Sequence, residues 1–145
     1  MKEIEGAYVL SSKGALIFSQ ENLGEGTDFD LNYLSDFLST IETIAMNVGE
    51  EEVKIIEFGN IKFYHARDKL TKIGFCFKVR KDIKQKKIYP MLSHFMNIFL
   101  ERFTGNFTSP DVVKKQKMED FIKSISELLG EGKKVEYFLD EVKIG

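Results

Sequence analysis

Cysteine is nearly missing from this sequence: Cys76 stands alone among 145 residues. A single thiol excludes an internal disulfide and any metal site assembled from several cysteines. It lies in the apolar stretch IGFCFKV, so it reads as a buried thiol. Histidine is almost as scarce, with His65 and His94 only, and neither has a nucleophile at a spacing that suggests shared work. His65 continues the Ile61 and Phe63 face of a strand and His94 sits among apolar helix neighbours, so both read as structural or surface residues. An excess of either charge is also missing. A net charge of −2 gives no overall field toward nucleic acid or anionic membrane. No apolar run approaches the roughly 20 residues of a membrane span. The opening MKEIEGAY carries acids where a secretion signal would be apolar. The expectation is a cytoplasmic protein, at most peripheral to membranes.

What is present is ordinary globular material, 43% hydrophobic and 30% charged, in a length that suits one domain. Residues 1–145 read as that domain, with 133–145 as a C-terminal extension. Residues 6–11 and 15–19 read as strands joined at Lys13-Gly14. Ala7 to Leu10 and Ala15 to Phe18 are apolar without interruption, where a half-exposed strand would alternate, so both faces of this hairpin should be covered. Asp30 then suits an N-cap, and a helix over 31–48 lines up Leu31, Leu34, Phe37, Leu38, Ile41 and Ile44 before Gly49 ends it. Three strands follow, at Val53–Phe58, Ile61–Ala66 and Lys72–Arg80. In the last, Ile73, Phe75, Phe77 and Val79 alternate with Gly74, Cys76 and Lys78. Gly74 there either admits a close-packed helix or marks a bulge. A helix over 85–104 carries Ile88, Leu92, Phe95, Phe99 and Phe103, with Pro90 near its start. Ser109-Pro110-Asp111 signals another over 110–129, Ser109 as N-cap and Pro110 as the first helical residue. KKVEYFLDEVKIG (133–145) fits a short strand, a last helical turn or a partner-binding segment.

The order β-β-α-β-β-β-α-α predicts an α+β fold: a three-layer α-β-α sandwich on a five-stranded antiparallel sheet. Helix 31–48 covers one face, and helices 85–104 and 110–129 cover the other. No constellation for catalysis, cofactor or metal stands out. LGEGTD (23–28) lacks the Gly-Lys-Ser/Thr ending of a phosphate loop, and Glu50-Glu51-Glu52 reads as a solvated turn. Arg80, Lys81, Lys84, Lys86 and Lys87 form the densest basic run. It is either a solvated loop with snorkelling stems or a contact for anionic headgroups or an acidic partner. No aromatic residues interleave with these charges, which disfavours nucleic acid.

Several stretches resemble the longin domain family. GAYVLSSKGALIFSQ is similar to its first hairpin, LSDFLSTIETIAMNVG to its first helix, IKFYHARDKLTKIGFCFKV to its last two strands and IYPMLSHFMNIFLERFTG to its second helix. Roadblock and profilin-like folds are related in shape, but roadblock domains usually begin with a helix. The resemblance implies a non-catalytic interaction module of vesicle trafficking or small-GTPase regulation. A vesicle SNARE would continue into a heptad helix and an anchor, so a stand-alone domain is expected. Its implied partner is a second copy, a second longin- or roadblock-type subunit, or a small GTPase. The alternative is a small-ligand sensor with a pocket between sheet and helix. In the implied arrangement Ala15–Ser19 is a sheet edge without charge or proline, an unprotected edge. Leu16, Ile17 and Phe18, with Tyr33, Phe37 and Ile41 of the adjoining helix, are therefore the expected protein interface.

Overall fold

The uninterrupted apolar run Ala7–Leu10 is stable only when both its sides are covered, and β1 (Ile4–Leu10), which contains it, meets that requirement: all seven residues are buried. The structure, a computed structural model, describes residues 3–22, 53–130, 132 and 134–143. Ala7 and Val9 pack into the larger core, while Tyr8 and Leu10 join Phe63 and Cys76 on the opposite face. β1 turns into β2 (Leu16–Glu21) through Ser11 to Ala15. There the Ser11 hydroxyl accepts from the Ala15 amide at 3.0 Å and Gly14 takes φ +85°.

β3 (Lys54–Phe58), β4 (Ile61–Arg67) and β5 (Gly74–Arg80) form an antiparallel meander. The β4–β5 turn is held by Asp68, whose carboxylate accepts from the Thr71 amide at 2.8 Å and its hydroxyl at 2.7 Å. Both registers of β5 run through Gly74 without a shift, so Gly74 is not a bulge. The irregularities lie elsewhere, at Ile17 of β2 in its pairing with β1 and at Glu5 of β1 in its pairing with β5.

Helices α1 (Gln85–Phe103) and α2 (Asp111–Leu129) lie on one face of the sheet. Phe95 stands 5.1 Å from Phe77 and 5.6 Å from Phe121 between ring centroids, and Phe121 meets Phe18 edge-on at 5.1 Å. These rings tie both helices to β2 and β5. The expected start of α2 is corrected by one residue. Pro110 occupies the N-cap position, and the Ser109 hydroxyl donates to Asn106 instead of capping the helix. Neither helix is long and apolar enough to cross a membrane.

Among the described residues the sheet has six strands, not five, in the order β3-β4-β5-β1-β2-β6. The sixth, β6 (Lys134–Tyr137), comes from the ambiguous stretch after α2 and is followed by a 3-10 turn at Leu139–Glu141. It pairs antiparallel with β2, placing Phe18 opposite Tyr137 and Glu21 opposite Lys134. The expected open edge at β2 is therefore corrected: the chain covers it with its own polypeptide. The helix expected over 31–48, with Tyr33, Phe37 and Ile41, lies outside the described residues.

Candidate functional site

Of the expected interface residues, Ile17 and Phe18 are fully buried and Leu16 is half-buried against the second core face. None of the three lines an open edge, because β6 runs alongside. A cleft lies at the opposite end of the sheet. It encloses about 450 Å³ and is lined by Val53, Ala66, Arg67, Tyr89, Leu92, Ser93 and Met96. The sheet side is the start of β3 and the end of β4. The helix side follows from spacing, since 89, 92, 93 and 96 share one face of α1. Its floor is apolar: Leu92 and Ala66 are buried and Met96 is half-buried. Its polar groups are the Arg67 guanidinium, the Ser93 hydroxyl and the rim hydroxyl of Tyr89. Arg67 Nε donates to the Lys72 carbonyl at 3.2 Å, which holds the side chain beside the β4–β5 turn. The Tyr89 hydroxyl donates to Gln85 at 3.3 Å. Behind Tyr89, edge-on at 6.0 Å, the Tyr64 ring is buried and its hydroxyl has no hydrogen-bond partner among the described residues. Burial, more than the nearby Tyr89, raises the Tyr64 phenol above its usual range.

A second polar group lies on the other face of the sheet. Lys78 is 1% exposed and donates to Glu21 at 2.8 Å. The other oxygen of Glu21 accepts from the Tyr8 hydroxyl. Gly6 is required beside this pair, because a Cβ there would run into the Tyr8 hydroxyl. Burial raises the Glu5 carboxyl, with Lys78 and Arg80 opposing, and burial followed by Glu21 raises the Tyr8 phenol far above its usual range. His65, paired across the strands with Cys76, is held down to about 4, chiefly by burial and then by Arg67. Burial pushes the Cys76 thiol up. These shifts leave Cys76 protonated and His65 neutral near pH 7, a state that favours packing over nucleophilic attack. His94 is exposed on α1, away from His65 in the sheet.

The basic run is partly matched by acids. Arg80 meets Asp82 at 3.4 Å, Lys81 meets Glu57 at 3.9 Å and Lys87 meets Glu3 at 2.6 Å. Lys84 and Lys86 are exposed, with no ion pair among the described residues. Sequence reasoning singled out neither Arg67, which reads as part of a turn, nor Tyr89 and Ser93, which fall one step off the apolar arc of α1. That offset was the available signal.

No protein-family model matches the chain, and no curated protein matches its sequence. Solved structures with a similar layout include the gliding protein MglB of Thermus thermophilus, at 13% identity and a TM-score of 0.48, covering 60% of this chain and 68% of that one. A second, MglB with a tetrameric arrangement, is 12% identical with a TM-score of 0.48, covering 88% and 82%. MglB of Myxococcus xanthus is 14% identical with a TM-score of 0.44, covering 87% and 85%. At these identities and TM-scores the architecture rests on the chain's own strand order and helix placement.

Proposed function

We propose that this chain is a protein-interaction module, a subunit or adaptor in vesicle trafficking or small-GTPase regulation, and that the cleft between β4 and α1 receives an apolar segment of its partner. The longin-like segments of the sequence favour that class. The observation that carries the docking site is the cleft's lining: four apolar side chains, one guanidinium and two hydroxyls. Such a set binds through buried apolar area and one charge-assisted contact. An inserted leucine-sized side chain contributes about 1.5–3 kcal/mol, and Arg67 favours an acid beside it. The partner is a small GTPase, a second longin- or roadblock-type subunit, or a second copy.

Purified chain is to be titrated against small GTPases of the same genome, loaded with GDP or a GTP analogue, by calorimetry. Met96→Glu places a charge on the cleft floor and should weaken association at least about tenfold, a loss of about 1.4 kcal/mol, in a variant whose thermal midpoint is measured alongside because Met96 also packs against the core. Equal binding by both forms sinks the docking site. A second reading, a small-ligand sensor, uses the same cleft, whose volume falls in the range of small-molecule sites. A rise in thermal midpoint with one member of a metabolite set, lost in Met96→Glu, would favour it.

A further inference from the structure

The β2 edge, which the sequence marks as seeking a partner, is occupied by β6. The anchors of the segment 134–143 join it to that edge, to α2 and to the core. Strand pairing sets Tyr137, Glu136, Val135 and Lys134 against Phe18 to Glu21. The Phe138 amide donates to the Ile17 carbonyl at 2.8 Å. Val142 is fully buried, and its carbonyl accepts from Lys114 Nζ at 2.8 Å. Other bonds, such as the Val142 amide to the Leu139 carbonyl, lie within the segment and move with it. This set of contacts is satisfied equally whether the segment comes from the same copy or from another.

Three further features point the same way. Among the described residues, β6 is the shortest strand of the sheet, at four residues, and is hydrogen-bonded to a strand on one side only. The connection from α2 is four residues long and contains Gly130 and Gly132, with Gly130 at φ +82°. Glycine straightens from that conformation without steric cost. Finally, a vacated β2 would expose the apolar Leu16-Ile17-Phe18 edge, which pairs readily with any extended strand.

We propose that residues 134–143 are an exchangeable strand and that, in a homodimer, each copy lays this segment along the β2 of the other. The interface expected at Leu16, Ile17 and Phe18 is then met by a second copy of Val135, Tyr137 and Val142. The exchange is reciprocal, so the pair has twofold symmetry. This inference is independent of the cleft.

The test is a disulfide trap. Ser19 and Glu136 are register partners, so Ser19→Cys with Glu136→Cys, in a Cys76→Ala background, closes within a monomer or between exchanged copies. After equilibration at rising protein concentration and oxidation, a non-reducing gel should show a covalent dimer whose share grows with concentration. Covalent monomer alone at every concentration overturns the proposal. So does a sedimenting dimer whose trap is wholly intramolecular, and that result leaves cleft docking intact. If the trap variant fails to fold, hydrogen exchange on the unaltered chain decides. Amides in the β2–β6 ladder should exchange at least about tenfold faster than those between β1 and β5, through an opening short of global unfolding. Equal protection across both ladders overturns it.

Discussion

Lys78 was readable as one member of the small-side-chain row of β5, yet nothing local announced that its ammonium is buried against Glu21 and, through it, Tyr8. That triad depends on two registers at once, β1 with β2 and β1 with β5, and so on contacts 57 residues apart. Removing one member strands a buried charge. Lys78→Met should lower unfolding free energy by about 3–5 kcal/mol, and adding Glu21→Leu should recover part of that loss, as read from urea titrations of the single and double variants. His65 supplies a pH dependence. Its native pKa, about 4, lies below the ordinary 6.5, so the unfolded chain takes up the proton first. Stability from this residue is complete above pH 6.5 and falls as pH drops toward 4, by up to about 3 kcal/mol. The raised Glu5 carboxyl acts in the opposite sense: its cost is full above its native pKa and is relieved as pH falls toward the ordinary 4.5. His65→Gln should flatten the decline between pH 6.5 and 4 in chemical denaturation curves. A variant that retains the full slope would assign it to other groups.

At the level of elements, long periodic stretches were legible and short ones were not. The apolar arc over 85–104 marks α1, and the strict alternation from Ile73 to Val79 marks β5, because each repeats a period several times. β6 offers only Val135 and Tyr137 in alternation, too few turns of any period to separate strand from helix. Its identity comes from the β2 edge, a non-local cause. The start of α2 was misplaced because Ser109 finds Asn106 as a partner, a competing local bond that a capping pattern does not reveal. Phe95 joins α1 to the sheet through Phe75 and Phe77 and to α2 through Phe121, with Phe99 adding a second contact to Phe75. Phe95→Ala should cost about 3–5 kcal/mol. If exposed Ser93→Ala matched that loss in thermal melts, the ring cluster would not be the anchor.

Across the whole molecule, the sequence supports an α+β antiparallel layout but not its sixth strand, and it does not reveal the cleft. That cleft joins Val53, Ala66–Arg67 and Tyr89–Met96, three segments brought together only by sheet order and helix docking. The charge map is likewise a product of folding. Of the five basic residues read as one patch, three lie against Asp82, Glu57 and Glu3, and Lys84 and Lys86 have no ion pair among the described residues. At about 1 kcal/mol each, two lysines would give at most weak attachment to an anionic bilayer. Sedimentation with phosphatidylserine vesicles should occur at low ionic strength, vanish near roughly 0.15 M salt as screening sets in, and be abolished by Lys84→Glu with Lys86→Glu. Retention at physiological salt in the double variant would locate membrane contact elsewhere. The covered β2 margin bears on growth as well. A sheet whose apolar β2 flank is filled by one β6, from its own copy or from an exchanged one, has no vacant place there for a further copy. Concentrated solutions should therefore stay clear of fibres seeded there, with association ending at discrete pairs.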